Sequence, residues 1–326
     1  MKKKSALICF LLSLLILVFP SVNQSYAASI NEVYLGGMPA GFTLTTRGAH
    51  VVGVCDVITE NGIISPAKNA EIKVGDVILY IDGYPINNAN DIETGIKNRN
   101  NVTVELLRDG ENIKKELEPV IDMTGHYKIG VFVKDCVSGI GTVTYIKANR
   151  IASLGHPVIS DSGEIIKITG GDVFNCKITG TVKGERGKAG ELKGVFLRND
   201  CIAKIDKNLD SGVYGVLNDE LDCSKLRKIE VGEAEIGNAV IYSTIDGSSP
   251  SEYKISIIKT DNFSNTKNFV IKVEDQNLLE LTGGIVQGMS GSPIVQNGKL
   301  VGAVTHVFIN DPTRGFGISI DKMINN

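Results

Sequence analysis

Beyond residue 31, apolar and polar positions alternate with a period near two, and helical periodicity is nearly absent. Val51–Val57, Val77–Ile81 and Val102–Leu107 carry branched apolar residues in that alternation, which predicts strands with one buried face. Asp109-Gly110 follows Leu106-Leu107 and precedes another alternating stretch, a hairpin signal, because a tight I′ turn needs two residues tolerant of positive φ. Asp91 to Asn98 (DIETGIKN) predicts one short helix with Asp91 as its N-cap. From about Ile121 to Asn326 the pattern is short strands broken by glycines. Within it, Lys183 to Gly194 (KGERGKAGELKG) is charged and glycine-rich, and is expected to be an exposed, mobile loop.

The first residues read differently. Lys2, Lys3 and Lys4 precede an apolar run from Ala6 to Pro20, and Ser25-Tyr26-Ala27 places small residues at cleavage positions. That run is shorter than the ~20 residues a bilayer span needs. Residues 1–27 are therefore expected to be a signal peptide cleaved after Ala27, with an uncleaved membrane anchor as the alternative; either puts the rest outside the cytoplasm. Losing the three leader lysines would take the formal charge from -3 to -3 - 3 = -6. A mildly acidic chain without a basic run is a poor nucleic-acid binder, and no nucleic-acid partner is expected. Beyond Cys9 the cysteines (Cys55, Cys136, Cys176, Cys201, Cys223) are odd in number and lack CxxC spacing, so they predict neither a disulfide framework nor a zinc site.

The strongest chemical signal is Gly288-Met289-Ser290-Gly291-Ser292-Pro293, followed by an Asn297-Gly298 turn and the apolar strand from Leu300. Small residues on such a turn let a carbonyl approach the backbone while neighbouring N–H groups converge on one point. By resemblance to trypsin-like proteases, Ser290 is the nucleophile, with Ser292 its competitor in the same loop. The N–H groups of Gly288 and Ser290 would form the oxyanion hole. A serine hydroxyl needs a base, and only four histidines exist. His156, in Ser153-Leu154-Gly155-His156-Pro157-Val158, ends a predicted strand and precedes Ser290 by one barrel's length, as that arrangement requires. His306 is better placed to line a substrate pocket; His50 and His126 fall in or beside the N-terminal region. Asp275 is the candidate acid, with Asp172 the runner-up, although an acid fifteen residues before the serine departs from the trypsin pattern. No HExxH, His/Cys cluster, P-loop or dinucleotide fingerprint occurs, so neither metal nor cofactor is expected.

Residues 31–120 resemble a PDZ domain of the bacterial, circularly permuted kind. The carriers are Gly41-Phe42-Thr43-Leu44, Ser65-Pro66-Ala67 and Ile72-Lys73-Val74-Gly75-Asp76-Val77-Ile78-Leu79-Tyr80-Ile81-Asp82-Gly83. The resemblance implies that Gly41, Phe42, Thr43 and Leu44 form the loop holding a peptide's terminal carboxylate. Together with Ser153–Val158 and the block from Gly283 to Ile318, the whole is similar to the SpoIVB sporulation peptidase family. The implied fold is mainly β: a permuted PDZ domain followed, over residues 121–326, by a trypsin-like β-barrel serine peptidase domain. The family histidine and serine fall on His156 and Ser290, and its acid fits Asp275. The resemblance further implies an endopeptidase delivered into the space between forespore and mother cell. There it cleaves a membrane-bound regulator of an intramembrane protease, and itself, and so activates late sigma-factor processing. Two other readings stand beside it: a PDZ peptide-binding scaffold with an inactive peptidase-like domain, and a hydrolase of cell-wall or small ester substrates.

Overall fold

The computed structural model describes residues 32–326 except 161–162, 219–221 and 265, and the side chains of 261–264 are also left aside. The expected leader, residues 1–27, lies outside the described residues. A short strand β1 (Glu32–Leu35) leads into a 16-residue strand, β2 (Pro39–Val54). Six further strands form most of a small module: β3 (Val57–Thr59), β4 (Gly62–Ile64), β5 (Val77–Ile81), β6 (Tyr84–Pro85), β7 (Val102–Arg108) and β8 (Glu111–Leu117). Two helices, α1 (Pro66–Asn69) and α2 (Ala89–Ile96), pack with them, and β9 (Val120–Ile121) and β10 (Tyr127–Lys128) close the module. Its core is aliphatic, with Ile78, Ile81, Ile86, Ile96, Val104 and Leu106 essentially without solvent contact.

Local chemistry sets these elements. Asp109 and Gly110 both have positive φ (51° and 83°), and the register Arg108↔Glu111 closes the two-residue turn the sequence predicts. The cap of α2 is Asn88 rather than Asp91: Asn88 Oδ1 accepts from Asp91 N–H at 2.9 Å, while Asp91 Oδ2 accepts from Asn87 N–H at 2.8 Å. Asp91 thus sits inside the first turn, where its charge meets the helix dipole, one turn later than sequence alone suggested. In the Gly75-Asp76 motif, the buried Asp76 carboxylate receives Arg108 Nε at 2.6 Å and Lys73 N–H at 2.8 Å. Burial opposes its charge, but these donors prevail and hold its pKa below the usual aspartate value.

The second half of the chain supplies β11 (Val131–Lys147), β12 (Arg150–Ser153), β13 (Ile168–Val182), β14 (Glu191–Leu209) and β15 (Gly212–Leu217). Their pairings run β2–β11–β12–β15–β14–β13 and return to β2, closing a six-stranded ring. After β16 (Lys228–Glu230), a second closed barrel follows in the order β17 (Gly237–Ser243), β18 (Ser251–Ser264), β19 (Lys267–Val273), β22 (Asp311–Ser319), β21 (Lys299–Phe308), β20 (Pro293–Gln296). Helix α3 (Gln276–Thr282) precedes the Ser290 turn, and α4 (Ile320–Ile324) ends the fold. The architecture is therefore mainly β, with a small module joined to the double β-barrel of trypsin-like peptidases.

The junction is not a simple succession along the chain. Residues 39–46 of β2 pair with β11 on one edge and β13 on the other, so they are a stave of the first barrel. The same strand continues, and Ala49 and His50 pair with β5 of the small module. β11 makes the return journey, pairing with residues 50–54 of β2 through its start and entering the barrel further on. The module is thus an insertion carried between two shared strands, and residues 31–120 alone lack one of its strands while containing a piece of the barrel. Alternation could not reveal this, because a strand buried on both faces in one half and on one face in the other has no internal break.

The segment Lys183–Gly190 also differs from the expected mobile loop. It is a tight hairpin tied down by its backbone: Gly184 N–H donates to Thr282 C=O at 2.8 Å, Gly187 N–H to Ile309 C=O at 2.8 Å, and Gly190 C=O accepts from Gln287 N–H at 2.8 Å. A Cβ at Gly190 would lie 2.4 Å from the backbone of Gly184 and Val182, so glycine serves close approach there, not mobility.

The shared strands predict a contrast between two deletions. Removing 48–134 and joining Arg47 to Asp135 through an Asn-Gly turn should leave a cooperative thermal transition by circular dichroism. Removing 35–119 strips a stave from the first barrel and should abolish that transition.

Candidate active site

The Ser290 turn is placed by what surrounds it. Pro293 starts β20, and Gly288 and Gly291 take positive φ (96° and 92°), which lets the chain fold back on itself between α3 and β20. Gly291 N–H donates to Val304 C=O at 2.8 Å and Val304 N–H to Ser292 C=O at 2.9 Å, strapping the turn to β21. From the other barrel, Thr142 N–H donates to Ser290 C=O at 2.9 Å, Thr142 Oγ1 to Gly288 C=O at 2.9 Å, and Thr144 Oγ1 to Gly291 C=O at 2.8 Å. Both threonines are buried, at 1% and 0% exposure. A Cβ on Gly291 would sit 2.1 Å from Thr142 C=O, so the two barrels meet backbone to backbone at this turn.

Met289 N–H is taken by Val286 C=O at 3.1 Å, and Gly291 N–H by Val304. Among the described residues, no acceptor meets the N–H groups of Gly288 and Ser290, the pair the sequence assigns to an oxyanion hole. Ser290 Oγ donates to Thr305 C=O at 2.9 Å. Its competitor Ser292 is fully buried, its hydroxyl spent on Ser243 Oγ at 3.0 Å.

His156 follows β12 through Leu154 and Gly155, both with positive φ (68° and 70°). Leu154, a branched-side-chain residue in the left-handed region, carries strain that the packed surroundings must hold. The His156 Nδ1 lies 2.8 Å from Pro157 C=O. A carbonyl only accepts, so Nδ1 carries the proton and Nε2 presents the lone pair, the tautomer a general base needs. Burial of the ring lowers its pKa, partly offset by that hydrogen bond. Asn208, near the end of β14, holds the loop from the far side: its Oδ1 accepts from Val158 N–H at 2.9 Å and its Nδ2 donates to Val158 C=O at 2.8 Å.

Ser290 and His156 line one cleft of about 540 Å³ between the barrels, with walls from Phe42, Ile140, Leu154, Val158, Ile285, Val307 and Ile309. His306 also lines it, its ring 4.9 Å from that of His156. Neither candidate acid is in the cleft. Asp275 is the N-cap of α3: its Oδ1 accepts from Leu278 N–H at 3.1 Å and its Oδ2 from Lys254 N–H at 3.3 Å. Asp172 faces another way on β13, paired with Lys204 at 2.5 Å. The expectation of Asp275 in a triad is corrected accordingly; its carboxylate is consumed by helix capping.

The expected carboxylate loop is corrected as well. Gly41, Phe42, Thr43 and Leu44 are interior to β2, hydrogen-bonded to a strand on each side, and Phe42 and Leu44 belong to the first barrel's core. With both edges paired, this segment has no row of N–H groups to offer a peptide terminus. A groove of about 820 Å³ lies elsewhere, between α2 (Ile92, Ile96) and the chain from Tyr127 to Val133. Its strand is the beginning of β11, whose edge away from β2 has no paired strand there among the described residues. The sequence signal for it was Ile129-Gly130-Val131-Phe132, a glycine in an apolar run at positive φ (77°). Thr142 and Thr144 were equally legible in principle, as polar residues on the inward face of an apolar strand.

Comparison with known proteins adds two matches and two likenesses. Residues 125–324 match the family described as SpoIVB peptidase S55, and residues 39–118 match the PDZ domain family. Among solved structures, the inactive form of the Rv3671c protease of M. tuberculosis is similar over 56% of this chain and 80% of its own, with 13% identity and a TM-score of 0.32. Human heparin binding protein is similar over 57% of this chain and 86% of its own, with 13% identity and a TM-score of 0.30.

Since Asp275 acts as a cap, Asp275→Asn should keep both stability and peptidase rate. Asp275→Ala should cost about 1 kcal/mol in chemical denaturation, with little change in rate. A large rate loss in the asparagine variant would restore Asp275 to the catalytic machinery.

Proposed function

Since this chain belongs to the SpoIVB peptidase S55 family and is a serine peptidase with a PDZ domain, we propose that Ser290 is its nucleophile and His156 its base. The observation that carries this reading is their shared cleft, with the Nε2 lone pair of His156 free and two N–H groups left over on the Ser290 turn. In the step proposed, Ser290 Oγ attacks the scissile carbonyl as its proton passes to His156 Nε2. The carbonyl electron pair moves to oxygen, where the N–H groups of Gly288 and Ser290 meet it. His156 then gives the proton to the leaving amine, and water repeats the sequence to free the acyl group. The hydroxyl must first turn from Thr305 C=O toward the imidazole. The resting arrangement is therefore one rotation short of reaction.

The wider setting proposed rests on family membership and on the leader-like first 27 residues: an endopeptidase acting outside the cytoplasm, between forespore and mother cell. Its substrate would be a membrane-bound regulator of an intramembrane protease, with copies of itself cleaved as well, leading to late sigma-factor processing. The groove between α2 and the start of β11 is the proposed seat for a peptide, added as a strand to the open edge of β11. The cleft walls are almost wholly aliphatic and aromatic. An apolar side chain beside the scissile bond therefore gains burial there, while a charged one loses its hydration without a partner.

An intact-mass time course of residues 28–326 should show discrete fragments, absent in Ser290→Ala and His156→Ala; fragments in the serine variant would overturn the assignment. A base whose pKa is lowered stays neutral at lower pH. The acid limb of the rate profile should therefore lie below the ~6.5 of a free histidine. In a peptide mixture, apolar residues before the cut should outrun lysine or aspartate by about tenfold or more.

A further inference from the structure

Among the described residues, two buried side-chain polar atoms lack a hydrogen-bond partner: Ser153 Oγ and His306 Nδ1. Both flank His156. Ser153 ends β12, three residues before it, and the His306 ring lies against the His156 ring, tilted by 42°. Leaving a buried polar atom unpaired costs about 1–3 kcal/mol, so an orphan beside a reacting group calls for a reason.

The electrostatics narrow that reason. Burial, then the neighbouring His156 and Lys267 of β19, pull the His306 pKa down to about 4, so the ring is neutral at ordinary pH. On His156 the influences are burial and the Pro157 carbonyl. No carboxylate faces either ring among the described residues. Yet when His156 takes the proton of Ser290 it becomes a cation in a buried place, and something must meet that charge.

We propose that His306 is the positioning residue of the catalytic histidine, a neutral imidazole standing where a serine–histidine–acid triad has its carboxylate. Pro157 C=O fixes the tautomer of His156, and the unpartnered Nδ1 lone pair of His306 meets the positive charge that His156 acquires in the transition state. A lone-pair dipole meets a cation more weakly than a carboxylate does, so His156 remains a weak base. The proposal rests on the Ser290–His156 reading above.

The test is the rate at which a fluorophosphonate probe labels Ser290 in the full chain, from about pH 4 to about pH 8. His306→Phe keeps a ring against His156 and removes the acceptor; His306→Asn restores an acceptor in less volume. Both are read on protein with the wild-type thermal midpoint. Labelling of His306→Phe should be at least about thirtyfold slower, with its acid limb moved down by about half a pH unit, because the imidazolium has lost support. His306→Asn should recover most of the rate. Labelling of His306→Phe within about threefold of wild type, or an unmoved acid limb, overturns the proposal. So does an asparagine variant as slow as the phenylalanine one. Failure of the underlying reading looks different: Ser290→Ala or His156→Ala would then label as fast as the wild type.

Discussion

The two barrels are held in register by the buried contact between β11 and the Ser290 turn. Three hydrogen bonds from Thr142 and Thr144 satisfy the carbonyls of Gly288, Ser290 and Gly291, groups that would otherwise be buried without partners. Each is worth about 1 kcal/mol net, but losing one would strand a carbonyl at a cost of about 1–3 kcal/mol. Because Thr142 and Thr144 point their hydroxyls at the carbonyls, the N–H side of Gly288 and Ser290 is left facing the cleft. The same contact therefore closes the interface and orients the groups that would receive an oxyanion.

The strand that makes this contact also carries the PDZ module. Along its 17 residues, β11 begins at the wall of the α2 groove, passes the cleft at Val137 and Ile140, and reaches the turn at Thr142. β2 runs beside it in the opposite direction. The module is thus fixed to the barrel by two continuous strands, a stiffer connection than a linker, and its peptide groove stands at one end of the strand whose other end holds the nucleophile.

The site is built around scarcity of charge. Aliphatic walls exclude water, neither ring of the histidine pair has an acid beside it, and the serine proton rests on a backbone carbonyl. In such surroundings small dipoles matter more than in water. That is why a hydrogen bond to Pro157 and an unpaired nitrogen on His306 carry weight they would lack at a surface.

Features decided by a few neighbouring residues were legible in the chain. The Asp109-Gly110 turn, the Gly75-Asp76 motif, the strand before His156 and the glycine-flanked Ser290 turn all depend on local backbone freedom, which residue type states directly. Their combination was enough to indicate a β-rich peptidase with a PDZ domain. What depended on partners distant in sequence was not legible. Asp275 could as well have pointed into a cleft as capped a helix, and only the position of Leu278 N–H decides it. Gly41–Leu44 read as a loop because alternation does not say whether a strand's edges are free. The tertiary structure paired both edges and gave the open edge to the start of β11. It also brought His306 against His156, a proximity that no spacing announces, because closing a barrel sets distances between strands by hydrogen-bond register and not by sequence separation.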